Sequence, residues 1–385
     1  MISNQPTHRS RLRSLSLGFA AALWLAAGGP PALATTINVT TTADEDNTDG
    51  DCSLREAILA ANSNTAKDAC PAGEAAATDT IVLADGGLYA LSIPGSDSTG
   101  HLGDLNIANN TASLDLVIQV AGGGHATIAQ DPSFGEHIFD LAAPAAMRVE
   151  DVTLTGGRTA AGVSGGVVFL FQGASLTLRR CVVTGNRAAN VGGAIFAAGN
   201  LVVENTVFSK NAAKFGGGAI SLTSSGSGTI SGSVFFDNDG GALGTGGAIS
   251  NSGTLTIGTT TFLDNRALFG GGAISSDVGL SSNSNCFLGN SSPAVDNFGA
   301  SPVNAVASWW GSKDGPSGAA PGHGDAVSAL VDVTGVLKTL PAGCLPAELV
   351  ADGGFQIDAF PDGVPDRWVA SNFAPSGDGT VCKPN

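Results

Sequence analysis

The sequence predicts an all-β protein: a single-chain, right-handed solenoid of parallel strands, closed at its N-terminal end by one short helix. Three observations carry that expectation. Gly-Gly-Ala-Ile recurs at 192–195, 217–220, 246–249 and 271–274. Phe-x-x-Asn units lie between these copies, ending at Asn211, Asn238, Asn265 and Asn290, with a Val183 variant ending at Asn186, so asparagines recur every 25, 27, 27 and 25 residues. Each unit also alternates apolar with small polar residues, as in Leu201-Val-Val203 and Leu255-Thr-Ile257. A period of this size marks stacked units that cannot bury an apolar face alone, and the alternation marks short strands with one face inward.

From the N-terminus, residues 1–34 read as an export signal: Arg9, Arg11 and Arg13, an apolar run over Leu15–Ala27, then Ala32-x-Ala34. Residues 35–78 read as a cap. Within it Ser53 is a helix N-cap, Glu56 completes a capping box, and Leu54, Ile58 and Leu59 make an apolar stripe. This helix would cover the exposed end of the stack, a template for aggregation, and a Cys52–Cys70 disulfide would fasten it. The solenoid is expected over 79–345. Its first strands are weaker: 80–83, 88–93, 114–119, 126–129, 137–141 and 147–154, the last placing Leu154 at the phenylalanine position and Gly157 at the asparagine position.

In the regular coils, equivalent residues should stack at roughly 4.8 Å. Val183, Phe208, Phe235, Phe262 and Phe287 then form a core column. Asn186, Asn211, Asn238, Asn265 and Asn290 form a structural ladder whose amides satisfy turn backbone. Handedness follows from strand twist, which favours right-handed crossovers. Cys181 and Cys286, about four coils apart, are too distant to pair with each other and read as buried small residues, while Cys344 and Cys382 are left as a possible pair.

The segment Asp51–Ile58, with Ala60-Ala-Asn62 and Asp79–Val82 after it, closely resembles the N-terminal signature of exported bacterial proteins named for the letters CSLREA. The Gly-Gly-Ala-Ile and Phe-x-x-Asn pairs resemble the repeats of chlamydial polymorphic outer membrane proteins. Both resemblances imply a right-handed parallel β-helix of the pectate-lyase-like kind over roughly residues 38–340, on an exported or outer-membrane-surface protein. Trp309-Trp310-Gly311 resembles the closing coil of such helices. Residues 346–385 resemble the opening of a jelly-roll carbohydrate-binding module, too short here for a two-sheet sandwich. Asp358, Asp362 and Asp366 in this tail resemble sparse calcium loops of the thrombospondin type 3 kind.

Function is less legible. Loss of the export segment removes three of 17 basic residues and none of the 33 acidic ones, leaving a net charge of −19. Such a surface repels phosphate backbones and anionic lipid, so nucleic acid and membrane-surface partners are not expected. After the signal no stretch is long and apolar enough to span a bilayer. His101, His125, His137 and His323 share no metal-ligand spacing, no nucleophile motif is present, and no cofactor is expected. One carboxylate pair emerges from the coil alignment, Asp237 with Asp264, at the separation a retaining glycosidase uses. Neighbouring coils always bring equivalent side chains to that distance, and the flanking charges of Lys210, Asp239 and Arg266 suit surface pairing. The strands after Gly-Gly-Ala-Ile carry Phe196, Ala197, Ser221, Thr223, Ser250, Asn251, Ser275 and Ser276, a small, hydroxyl-rich surface. The reading is a non-enzymatic, adhesin-like protein binding glycan or protein through this polar face. The alternatives are a polysaccharide lyase or glycoside hydrolase acting through Asp237 and Asp264, and a structural envelope protein.

Overall fold

A computed structural model describes Met1, residues 34–75, 77–108 and 114–341, and Cys344. Residues 2–33, where the export signal is expected, and the tail beyond Cys344, with Cys382, Asp358, Asp362 and Asp366, lie outside the described residues. The rest is a solenoid of three parallel sheets holding eleven, ten and eight strands. A representative coil runs from Ser175–Arg179 in the eleven-stranded sheet to Val182–Thr184 in the eight-stranded and Ile195–Ala197 in the ten-stranded sheet. Asn200–Glu204 then lies directly beside Ser175–Arg179, in register. Each repeat thus supplies three short strands, as its alternation implies. The eleven-stranded sheet begins earlier than the sequence suggests, because Thr36–Asn38 already pairs with Thr78–Leu83.

Three positions in each regular coil adopt the left-handed backbone region, for example Arg180, Gly185 and Gly192. Between the first two strands the turn residue is Asp151, Arg180, Asn205, Gly232, Thr259, Ser284 or Ala307, with φ between 48° and 60°. The expected strand over 147–154 is therefore two strands, Ala146–Glu150 and Val152–Thr155, bent at Asp151. The second glycine of Gly-Gly-Ala-Ile has another cause: a Cβ at Gly193 would run into the Gly218 carbonyl of the next coil, and one at Gly218 into that of Gly247. This close approach of successive backbones is why the dipeptide repeats.

The core column forms and extends past the expected residues. Tyr89, Ile128, Leu154, Val183 and Phe208 lie in register, and Phe208, Phe235, Phe262 and Phe287 stack with centroids 4.8, 5.1 and 5.2 Å apart. Trp310 ends the column, fully buried and 4.4 Å from the Phe287 ring, in agreement with its expected closing role. Gly228 stands where the adjacent coils have Leu201 and Leu255, and a Cβ there would press on Leu255 Cδ1, with Leu222 Cδ2 also in contact. Leu222 faces inward where the adjacent coils have Ala197 and Asn251, so a large residue on one strand compensates a small one on another.

The asparagine ladder is continuous. Each of Asn186, Asn211, Asn238 and Asn265 donates its backbone N–H and its Nδ2 to the Oδ1 of the next, at 2.9–3.1 Å. The second Nδ2 hydrogen reaches a column carbonyl one coil back, as Asn238 does to Phe208 at 2.9 Å. Gly157 N–H closes one end on Asn186 Oδ1. Asp325 closes the other, accepting from the backbone N–H and Nδ2 of Asn290 through Oδ2 and from Gly289 N–H through Oδ1. Burial raises the Asp325 carboxyl while these donors pull it back. Two residues before the column runs a second polar ladder, in which Cys181 N–H donates to Thr206, Thr206 N–H to Ser233, Thr260 N–H to Asn285 and Asn285 N–H to Ser308. Replacing Asn238 with alanine strands the Asn211 donors and the Phe208 carbonyl in a buried site. We expect a loss of about 2–3 kcal/mol, measured by denaturant unfolding.

The helix α1, Leu54–Ser63, has the expected N-cap and full capping box, with Glu56 N–H donating to Ser53 Oγ and Ser53 N–H to Glu56 Oε2. Its Arg55 is fully buried. The guanidinium donates to both Asp44 carboxylate oxygens, at 2.8 and 3.1 Å, and to the carbonyls of Gly100, Gly103 and Asp104. Asp44 Oδ2 also accepts from Ser92 and Ile93 N–H. One ion pair therefore ties the helix to the loop before the first strand of the ten-stranded sheet, a role the sequence analysis did not assign.

Cys52 and Cys70 form the expected disulfide. Cys286 departs from expectation: it is bonded to Cys344, with Cα atoms 5.5 Å apart, rather than standing as a free buried residue. Cys286 occupies the position beside the column phenylalanine, in register with Trp309, and Thr261 Oγ1 bonds the Cys344 carbonyl. The returning chain is thus pinned against the outside of the eight-stranded sheet. Cys181 is free and buried, as expected, and burial pushes its thiol up to about 12. Alkylation should leave Cys181 unmodified in the native protein and label it only on unfolding, as mass spectrometry would show.

Candidate functional site

Side chains alternate across a strand, so the middle residue of each three-residue strand in the ten-stranded sheet faces outward. Register pairs these residues into one row: Asn106, Asp140, Phe169, Phe196, Ser221, Ser250, Ser275 and Asp296. At the usual strand spacing the row is roughly 34 Å long. It is recessed, since Ser221, Ser275 and Asp296 are only 8%, 5% and 9% exposed although they point away from the core. Loops form the walls: a Cβ at Gly270 would meet the Asp296 carboxylate and the Phe298 ring. Phe215, Leu268, Phe269 and Phe298 are exposed along these loops.

The expected flat surface is therefore a shallow trough. Of the residues assigned to it, Ser221, Ser250, Ser275 and Phe196 do face outward. Asn251 and Ser276 instead point inward, 2% and 1% exposed, and bond each other at 2.9 Å, because they occupy the third strand position, which alternation turns toward the core.

Toward the N-terminal end the trough becomes aromatic. Phe169 lies 4.6 Å from Phe171 and 4.7 Å from Phe196 between ring centroids. His137 adjoins this trio, its ring 6.4 Å from Phe169. Its Nε2 sits 2.8 Å from Asp140 Oδ1 and 3.5 Å from Asp104 Oδ2. Burial alone would lower the imidazole, but the close Asp104 and Asp140 carboxylates override it and push His137 up to about 10. Burial raises Asp104 against the pull of His137. Glu136 is raised as well, by burial and then by the Asp104 charge. Sequence spacing hid this cluster: Asp104 and His137 come from successive coils but lie 33 residues apart, off the 25- to 27-residue period, and only His137 and Asp140 are close in the chain.

Asp237 and Asp264 sit elsewhere, on the turn before the asparagine ladder, with φ of 50° and 52°. Other coils put Gly185, Lys210 or Gly289 at this left-handed position, where aspartate is among the better tolerated side chains. Backbone conformation thus accounts for the residue type. Arg266 bridges Asp237 and Asp239 at 3.1 and 3.2 Å, and Asp264 is raised by burial and then by the Asp237 charge.

Residues 145–287 match the family model described as a right handed beta helix region, and the fold is a right-handed parallel β-helix. Searches of curated proteins and of solved structures found no match. Among the described residues, no helix is long and apolar enough to cross a membrane.

Proposed function

We propose that this chain is a non-enzymatic, exported, adhesin-like protein that holds a neutral glycan along the trough of its ten-stranded sheet. The observation that carries the reading is the outward row itself, in which Phe169 and Phe196, flanked by Phe171, are followed by three serines and ended by a carboxylate. Aromatic faces accept the apolar faces of sugar rings, and short hydroxyls and carboxylates accept or donate to sugar hydroxyls. No lysine or arginine belongs to the row, and the chain carries a net charge of −16, so an anionic polysaccharide would be repelled. The export segment and the resemblances noted above support a location at the cell surface or outside it.

The test is a glycan array probed with the purified protein, alongside Ser250→Trp, which fills the trough, and Thr229→Trp on the eleven-stranded sheet. Binding should be lost in the first variant and kept in the second, with melting temperatures unchanged. Binding to no glycan, or binding indifferent to Ser250→Trp, overturns the proposal.

A second reading rests on the raised Asp264 beside Asp237, an acid paired with a second carboxylate as hydrolases require. A reducing-end assay on polysaccharides decides it: activity abolished by Asp264→Asn would establish an enzyme, and its absence would leave binding as the function.

A further inference from the structure

At the N-terminal end of the trough two carboxylates, those of Asp104 and Asp140, converge on one imidazole. Asp104 and His137 are 2% and 6% exposed, while Asp140 is partly open to solvent. Asp104 precedes Leu105–Ile107, and Asp140 lies in Phe139–Leu141, the adjacent strand. Among the described residues no lysine or arginine forms an ion pair with Asp104, Glu136 or Asp140. Arg55 donates to the main-chain carbonyl of Asp104, and its own charge is matched by Asp44. Even with His137 protonated, two carboxylates face one cation, which leaves a surplus negative charge beside the buried Asp104. Asp140 Oδ1 is also left short of a partner: it accepts no aligned hydrogen bond although Nε2 lies 2.8 Å away.

We infer that Asp104, His137 and Asp140 bind one divalent transition-metal ion, zinc being the best match, through Asp104 Oδ2, His137 Nε2 and Asp140 Oδ1. The three donor atoms already lie within 4.8 Å of one another. Ligands around a tetrahedral zinc stand about 3.0–3.4 Å apart, so the 2.8 and 3.5 Å separations at Nε2 need adjustments of only a few tenths of an ångström. Asn106 Nδ2 donates to Asp104 Oδ2 at 3.1 Å, and Gln130 Nε2 holds the His137 carbonyl at 2.9 Å, the kind of outer support that orients ligands. A divalent ion replacing the proton neutralises the surplus carboxylate charge. An imidazole donor favours zinc over calcium or magnesium.

Equilibrium dialysis of the full chain against zinc should give one ion per chain, not displaced by millimolar calcium. His137→Gln and Asp140→Asn should each weaken binding by roughly a hundredfold or more, with Asp140→Asn, the less buried change, keeping the wild-type melting curve. The acidic group Glu45, Asp49 and Asp51 is the internal control, and Asp49→Asn should bind as wild type. X-ray absorption of the wild-type zinc complex, which needs no variant, should show one imidazole nitrogen with oxygen ligands. No stoichiometric binding, an oxygen-only shell, or binding lost in Asp49→Asn and retained in Asp140→Asn overturns the assignment. None of these readouts depends on glycan recognition.

Discussion

Replacement of Phe235 by alanine should cost about 3–5 kcal/mol, the range for removing a fully buried aromatic ring. Phe235 is 0% exposed and lies between Phe208 and Phe262 at 4.8 and 5.1 Å. Neither neighbour can close the gap, because each is fixed on its own coil by backbone hydrogen bonds to coils above and below. In a stack of units stability is a sum of nearest-neighbour interfaces, so the damage should concentrate in adjacent coils. Hydrogen exchange should accelerate first across the strands Val207–Ser209, Val234–Phe236 and Thr261–Leu263. Phe235→Leu should recover most of the loss, since Leu154 and Val183 hold the same column position in other coils. Equal destabilisation by both substitutions would contradict a column held by volume and stacking.

Arg55→Met should be comparably severe, about 3–5 kcal/mol, because it leaves a buried carboxylate without its cation. Asp44 is 2% exposed at its side chain in the pair, and the carbonyls of Gly100, Gly103 and Asp104 would lose their donors as well. Arg55→Lys keeps the charge but not the planar fork that serves two carboxylate oxygens and three carbonyls, and should fall between. The released loop gives a local readout: limited proteolysis within residues 92–104 should appear in Arg55→Met before the regular coils are cut. Unchanged proteolysis would mean that the loop is held by other contacts.

The regular coils were legible because their period, their inward alternation and their turn residues all report one geometry. The register of Phe208 with Phe235 and the ladder from Asn186 to Asn290 follow directly from it, whereas the closing Trp310 was legible through the resemblance of Trp309-Trp310-Gly311 to closing coils. Features that join distant or irregular segments were not legible. Asp325 ends the asparagine ladder 35 residues after Asn290, with no periodic signal to place it. Cys286 finds Cys344 because the chain doubles back after the last coil, which repeat counting cannot show. The second polar ladder was present in the sequence as Cys181, Thr206, Ser233, Thr260, Asn285 and Ser308, each two residues before a column position, and a search for small polar residues at fixed offset would have found it. The trough was half legible: strand alternation separates outward Ser275 from inward Ser276, but its depth comes from loops whose conformation no short pattern encodes. The carboxylates at 237 and 264 carry no clear signal in the sequence for a physical reason, since a left-handed turn favours aspartate whether or not chemistry is present.

The central claim, that successive coils stack in parallel with matching positions adjacent, is tested most directly by cross-linking across one coil boundary and across two. Thr229 and Thr256 are exposed register partners on the eleven-stranded sheet, so a protein carrying Thr229→Cys and Thr256→Cys should form an intramolecular disulfide on mild oxidation. Val202, in register with Thr229, stands two coils from Thr256, at roughly 9.6 Å, and Val202→Cys with Thr256→Cys should stay reduced. A disulfide in the second pair and none in the first would contradict the stacking on which the column, the ladders and the trough depend.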